Sequence, residues 1–196
     1  IRNVSFLENL TAYLADNTGN LLSAFNISKY LKSQRQQIPT QTILNYLRAL
    51  THAYYVHKVQ RAEVKGLKIF EIGEKYYFED TGLRNALRRF DFRSDVQKVM
   101  ENVVYLHLLR NGYRVFVGIK GNKEIDFMAE KNDERLYIQV AYMLVDDQTI
   151  QREFGNLMAI EDNYLKYVVT MDELAAGTAY KGIRQIHLRD FLINYK

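Results

Sequence analysis

Three acidic residues and a glutamine have types and spacings that could support chemistry, and two of them, Asp126 and Gln139, could face the same pocket. Glu124 and Asp126 share one face of a predicted strand, because side chains alternate along a strand. Gln139 lies on the next predicted strand, and a hairpin between the two strands would bring it beside Asp126. Glu101 lies on the apolar stripe of a predicted helix, where a carboxylate is costly to bury without a partner. These carboxylates therefore either form a reactive site or accept hydrogen bonds in a structural network.

The segments that carry these residues resemble the core of the PD-(D/E)xK nuclease superfamily: the helix of Glu101, Glu124-Ile-Asp-Phe127 and Tyr137-Ile-Gln-Val-Ala141. The resemblance implies that Glu101 and Asp126 bind a divalent metal such as Mg²⁺, which assists phosphodiester hydrolysis. In this resemblance, Gln139 occupies the position of the motif's second acid, and Ala141 occupies the position of its lysine. A methyl group can neither activate water nor stabilise an anion. We therefore expect a degenerate site with no catalytic residue.

Two alternatives stay open at this point. In the first, the chain is a metal-dependent DNA endonuclease whose lysine has moved to another position. Lys123 and Lys166 are the substitutes, although Lys123 points away from Asp126 along its own strand and Lys166 would have to reach across from another. In the second, the chain is a protein-interaction module without nucleic-acid contact.

Nearly the whole chain also resembles the C-terminal region of a large prokaryotic group of AAA+ ATPases. The similar segments are Tyr76–Leu83, Glu101–Tyr105, Asn111–Tyr113, Glu124–Phe127, Arg152-Glu153, Lys166–Thr170 and Asp172. The resemblance implies a winged helix followed by the nuclease-like domain, with an ATP-binding P-loop module before both. Residues 177–182 have the spacing GxxxxG, but Ile183 stands where a P-loop requires lysine. The chain begins with isoleucine, so we expect ATP binding to lie upstream of Ile1.

Residues 1–78 have the pattern of a winged helix-turn-helix domain. Apolar residues recur at helical spacing in three successive segments, the third of which begins at Pro39. Two β-like stretches follow, residues 54–60 and 67–78, and the charged residues 61–68 join them. Three helices and a hairpin are typical of this DNA-binding fold.

Polar and basic side chains of this first domain are candidates for contact with DNA. They are Gln41, Asn45 and Arg48 on the third helix, and Arg61, Lys65 and Lys68 at the tip of the predicted hairpin. Residues 1–78 contain ten Lys+Arg and five Asp+Glu, and their net charge of +5 favours phosphate groups. A protein partner is the alternative, because the third helix has one arginine and no lysine.

Residues 79–196 predict a second domain with an α/β core. A long helix is followed by three consecutive strands, a second helix and a further strand. The order α-β-β-β-α-β indicates a mixed sheet of the restriction-endonuclease-like type. The expected fold class is therefore α/β (α+β).

Composition narrows the functional classes. The 196 residues include 27 Lys+Arg and 23 Asp+Glu. The sequence contains no Cys, and this absence excludes disulfides, a cysteine nucleophile and a thiolate zinc site. The absence of Cys suits a cytoplasmic protein, and no apolar run approaches the roughly 18 residues of a membrane span, so we expect a cytoplasmic location and no membrane partner. We expect the recognition region of an ATPase, which binds DNA or a protein and carries no cofactor of its own.

Overall fold

The computed structural model describes residues 3–70, 73–144, 147–173 and 177–195. The helices are α1 (Val4–Asp16), α2 (Ala24–Ser33), α3 (Thr40–His52), α4 (Thr81–Leu87), α5 (Phe92–Arg110), α6 (Asp147–Met158) and α7 (Leu188–Asn194). The strands are β1 (Val56–Val59), β2 (Arg61–Glu63), β3 (Lys75–Phe78), β4 (Arg114–Lys120), β5 (Lys123–Lys131), β6 (Glu134–Ala141), β7 (Leu165–Thr170), β8 (Ala179–Tyr180) and β9 (Ile183–His187). None of the helices in the described part of the chain is long and apolar enough to cross a membrane.

The chain forms two compact units, and each contains two separate stretches of sequence. Unit 1 comprises Ile1–Val59 and Ile72–Phe92, and unit 2 comprises Gln60–Glu71 and Arg93–Lys196. The predicted boundary between residues 78 and 79 differs from this division in two places. The short segment after β1 belongs to unit 2, and α4 belongs to unit 1.

Unit 1 consists of four helices and a two-stranded ribbon. The side chain of Asn3 begins α1 by accepting a hydrogen bond from the backbone N–H of Phe6 at 2.9 Å, and Ser23 caps α2 in the same way. Strand β1 pairs with β3 in antiparallel orientation, with Val56 opposite Phe78. The buried core is formed by Phe6, Leu10, Leu14, Ile27, Leu31, Ile43, Leu47, Val56, Tyr76 and Phe78.

The predicted hairpin of residues 54–78 is wrong in its second half. Only Lys75–Phe78 pairs with β1, while residues 61–70 form a separate hairpin at the edge of unit 2. Within this inserted hairpin, Glu63 N–H donates to Lys68 O and Phe70 N–H donates to Arg61 O, both at 2.9 Å. The reason is burial: Ala62 and Val64 are 0% and 5% exposed, in the core of unit 2.

Unit 2 contains a seven-stranded mixed sheet with the order β2-β4-β5-β6-β7-β9-β8. Strands β4, β5 and β6 are antiparallel, whereas β6, β7 and β9 are parallel. Helix α6 packs on this sheet through Phe154 and Leu157, and Tyr105 of α5 contacts Phe127 with ring centroids 6.3 Å apart. The prediction of a mixed α/β fold is confirmed.

Strand β5 contains an irregularity that the sequence pattern did not reveal. Phe116 of β4 pairs with Met128 of β5, and Gly118 pairs with Ile125. An advance of two residues along β4 therefore corresponds to three residues along β5, which is one extra residue. Such an extra residue interrupts the alternation of side chains. Ile125 and Met128 consequently lie in one core cluster, so the expectation that alternate residues of this strand share a face is wrong across the bulge.

Candidate functional site

Asp126 and Gln139 lie side by side on the antiparallel strands β5 and β6. The backbone N–H of Asp126 donates to Gln139 Oε1 at 2.7 Å. In the opposite direction, the backbone N–H of Val140 donates to Asp126 Oδ2 at 2.9 Å. The hairpin thus brings together two of the residues that the sequence predicted for one pocket, and it engages an oxygen of each with a backbone amide.

A second carboxylate, Glu153 of α6, completes this arrangement. Gln139 Nε2 donates to Glu153 Oε2 at 2.8 Å, and Arg152 donates to Glu153 Oε1 at 2.6 and 2.9 Å. Gln139 and Glu153 are only 4% and 5% exposed. Sequence reasoning missed Glu153 as a site residue, although it shares the inward stripe of α6 with Ile150 and Leu157, the same signal that singled out Glu101.

Helix α5 is tied to the same strand through Gln97. Its side-chain amide donates to Glu101 Oε1 at 3.2 Å and to the carbonyl oxygen of Val140, while its Oε1 accepts from Tyr142 N–H at 2.8 Å. Glu101 is half-buried. Val140 therefore links the helix acid and the strand acid, because its N–H binds Asp126 and its C=O binds Gln97.

Ala141, which the resemblance places at the motif lysine, is a buried residue that is 4% exposed. Neither proposed substitute faces the acids. Lys123 Nζ donates to Gly155 O at 2.8 Å, and Lys166 Nζ donates to Asp162 O at 2.6 Å and Oδ1 at 3.1 Å. Unit 2 thus has the polar residues of the predicted pocket, while the two lysines proposed as substitutes bind other groups.

Two polar side chains near Asp126 are engaged in hydrogen bonds of their own. The oxygen of Gln139 that would replace a carboxylate ligand accepts from the Asp126 amide, and Glu153 is paired with Gln139 and Arg152. Within the described residues, no group of three or more His, Asp and Glu side chains is placed to hold a metal ion. The hydrogen bonds instead match the structural network that was the alternative interpretation of these acids.

A second candidate surface lies on α2 and α3 of unit 1. Gln41, Asn45 and Arg48 are exposed at spacings of four and three residues, so they share one face of α3. Gln41 Nε2 donates to Asn45 Oδ1 at 3.3 Å. Leu44, on the same face, is 43% exposed. The polar residues predicted on the third helix are therefore available to a partner.

Four exposed basic side chains belong to these two helices or follow them directly: Lys29 and Lys32 on α2, Arg35 just after it, and Arg48 on α3. All four are exposed, and their side chains have no hydrogen-bond or ion-pair partner among the residues that the structure describes. We call them the α2–α3 cations. The sequence prediction named only Arg48, because the other three lie outside the third helix.

The basic residues of the predicted hairpin tip lie on unit 2. Lys65 and Lys68 are exposed in the inserted hairpin. Arg61 is half-buried in β2, where its guanidinium lies 5.3 Å from the centre of the Phe70 ring. The three residues therefore do not form the tip of a β1–β3 wing, because β1 and β3 pair without them.

Residues 1–94 match the model of a domain of unknown function, DUF8612. An uncharacterized protein of Haemophilus influenzae is 34% identical over 194 residues, which cover 98% of this chain and 47% of that protein. An uncharacterized protein of Methanocaldococcus jannaschii is 28% identical over 148 residues, which cover 74% of this chain and 32% of that protein. No solved structure gives a significant match. The chain thus spans less than half the length of either relative.

Proposed function

We propose that this chain is the recognition region of a larger ATPase, in which unit 1 binds nucleic acid and the nuclease-like unit 2 has no catalytic activity. One observation carries the proposal: the α2–α3 cations have no partner within the described residues. The ATPase itself rests on the family resemblance. The greater length of both relatives leaves room for such a module beside the region that this chain matches.

The distribution of charge favours nucleic acid over a protein partner. Unit 1 contains ten Lys+Arg and six Asp+Glu, a net charge of +4, while unit 2 contains 17 of each and is neutral. Among the other described cations of unit 1, Lys58 is bonded to Glu74 and Arg88 to Asp16, whereas Arg89 after α4 is exposed without a partner, so four of the five unpaired cations lie on or beside α2 and α3. The uncompensated charge is thus concentrated near α2 and α3, where a polyanion would release counterions on binding.

The secondary structure of unit 1 supports the same proposal. Three helices followed by an antiparallel β-ribbon are the elements of a winged helix-turn-helix, in which the third helix enters the major groove. On α3, the exposed amides of Gln41 and Asn45 could pair with base edges, and Arg48 could bind a phosphate or a guanine. The phosphate contacts would dominate affinity, because cations outnumber the amides on this surface.

Binding to a duplex of about 20 base pairs, followed by fluorescence anisotropy at about 50 to 200 mM salt, tests the proposal. The variant Lys29→Glu with Lys32→Glu should bind at least about tenfold more weakly and show a smaller salt slope, by about two. The control variant, Arg110→Glu with Lys131→Glu, reverses the same number of charges at exposed or half-buried positions of unit 2. It should bind the duplex as tightly as the wild type does. Equal weakening in both variants, or no duplex binding by the wild type, would instead favour a protein partner for this surface.

The inactivity of unit 2 is tested separately with plasmid DNA and Mg²⁺ or Mn²⁺. We expect no cleavage, because Ala141 is buried where a lysine is required and Lys123 and Lys166 bind other groups. Cleavage that disappears in Asp126→Ala would establish the alternative, an endonuclease with a relocated lysine. Calorimetry with Mn²⁺ is the second measurement, and we expect no binding that depends on Glu101 and Asp126.

A further inference from the structure

Unit 2 has a cavity of about 330 Å³ between the inserted hairpin and the sheet. Its lining includes Lys65 and Gly66 of the hairpin turn, Lys120 at the end of β4, Arg135 of β6, and Glu161 and Asp162 after α6. We propose that this cavity binds a phosphate group. The inference does not depend on nucleic-acid binding by unit 1, because it rests on other residues in the other unit.

Two ammonium groups in the lining lack a counterion. The side chains of Lys65 and Lys120 have no ion-pair or hydrogen-bond partner in the part of the chain that the structure describes. Lys65 is exposed and Lys120 is half-buried, so only part of their charge is screened by water. Two like charges that line one cavity repel each other, and an anion between them would remove that repulsion.

Arg135 adds a guanidinium that is already fixed in place. Its Nε and Nη2 donate to Glu130 Oε1 at 2.9 and 2.6 Å, and its Nη1 donates to Val64 O at 2.9 Å and to Tyr137 Oη at 3.2 Å. A guanidinium has five N–H donors, so these four bonds leave one for a ligand. Burial lowers the pKa of Arg135, but its hydrogen bonds to Tyr137 and Glu130 outweigh burial and raise the pKa, so the guanidinium stays charged. Because Arg135 lines the cavity, these bonds hold its side chain at the proposed site.

The acidic wall of the cavity does not cancel these cations. Asp162 accepts hydrogen bonds from Tyr137 Oη at 2.7 Å and from Lys166 Nζ at 3.1 Å, so its charge is compensated inside unit 2. Glu161 is exposed. Its carboxylate is therefore screened by solvent more than the half-buried Lys120 is. With Arg135 paired to Glu130 and Asp162 to Lys166, the unpaired charges of the lining are Lys65 and Lys120 against Glu161, which leaves a net charge of +1.

The test is a titration of the 196-residue chain with pyrophosphate, followed by amide NMR. We expect saturable shifts at Lys65, Gly66 and Lys120. Lys65→Ala with Lys120→Ala should weaken binding by about a hundredfold, since each charge-assisted hydrogen bond contributes about tenfold. A control, Arg110→Ala with Lys131→Ala, removes the same charge away from the cavity lining and should bind like wild type. Shifts spread over lysines throughout the chain, or unchanged binding by the cavity variant, would overturn the proposal.

Two further measurements identify the source of the phosphate. If the phosphate belongs to a nucleic-acid strand, a single-stranded oligonucleotide should displace pyrophosphate from the cavity. If the phosphate belongs to a small molecule, a nucleoside diphosphate should displace pyrophosphate and the oligonucleotide should not. Displacement by neither would count against a biological phosphate site. The variant Lys29→Glu with Lys32→Glu should bind pyrophosphate at the cavity normally, which separates failure of this site from failure of unit 1 to bind nucleic acid.

Discussion

The side-chain amide of Gln139 connects two strands and a helix. Its oxygen accepts from the backbone of β5 and its nitrogen donates to Glu153, a carboxylate that is 5% exposed. A buried carboxylate is tolerated only when donors surround it, and Arg152 supplies the others. Gln139 thus holds β5, β6 and α6 together by hydrogen bonding, a role that an ionised glutamate at this position could not fill beside Glu153.

We predict that Gln139→Ala destabilises the protein by about 3 kcal/mol, because it leaves a buried carboxylate with one donor fewer. Chemical denaturation measures the change in the free energy of unfolding. Gln151→Ala, on the exposed side of the same helix as Glu153, should change it by less than about 0.5 kcal/mol. A loss at Gln139 as small as that at Gln151 would mean that the network contributes little to stability.

Tyr137 supplies a prediction about pH. Burial raises the pKa of its phenol, with a further contribution from the hydrogen bond to Asp162. The folded pKa lies above the unfolded value, so the phenol contributes stability that is complete below about pH 10 and decreases as pH rises beyond it. The free energy of unfolding should fall by up to about 1.4 kcal/mol per pH unit for this group. Tyr137→Phe should flatten the decline measured by urea denaturation, and an unchanged slope would contradict the assignment.

Elements with a clear periodicity were predictable from sequence. The amphipathic helix near Glu101 and the strands around Asp126 and Gln139 lie where the pattern placed them. The inserted hairpin was not predictable, since a short alternating segment between two strands of a ribbon looks like an extension of the ribbon. Its partner, β4, follows about 50 residues later, and periodicity carries no information about such pairing. The bulge in β5 was missed for a similar reason: register is set by the neighbouring strand.

Two glycines give opposite predictions for element stability. A Cβ atom on Gly118 of β4 would lie 3.1 Å from Ile125 Cβ and 3.5 Å from Val64 Cγ2, close to the bulge and the inserted hairpin. Gly118→Val should therefore destabilise unit 2 by about 1–3 kcal/mol. Gly155 of α6 has no atom within 4 Å of a built Cβ, so Gly155→Ala should stabilise the protein by roughly 0.5–1 kcal/mol. Thermal unfolding of both variants checks the signs, and a shift in the same direction for both would contradict them.

At the scale of the whole molecule, the chain passes between the units three times: after Val59, after Glu71 and after Phe92. A single cut cannot separate two units connected in this way. Residues 1–94, which match the family model, include the inserted hairpin without the strand that it pairs with. A fragment of that length would therefore expose Ala62 and Val64 and an unpaired strand edge.

Unit 1 should fold alone once the inserted hairpin is removed. Val59 lies opposite Lys75 in the β1–β3 ribbon, so replacing residues 60–72 with Asn-Gly leaves a four-residue loop, a common hairpin length. The replacement retains Glu74, which exchanges backbone hydrogen bonds with Leu22 at 2.8 and 3.2 Å. We predict that this shortened form of residues 1–94 is monomeric and unfolds cooperatively, whereas the unaltered fragment associates or leaves its hairpin amides unprotected. Size-exclusion chromatography, thermal circular dichroism and amide exchange distinguish the shortened form from the unaltered fragment. If the unaltered fragment is monomeric and its hairpin amides are protected, the hairpin does not need the sheet of unit 2.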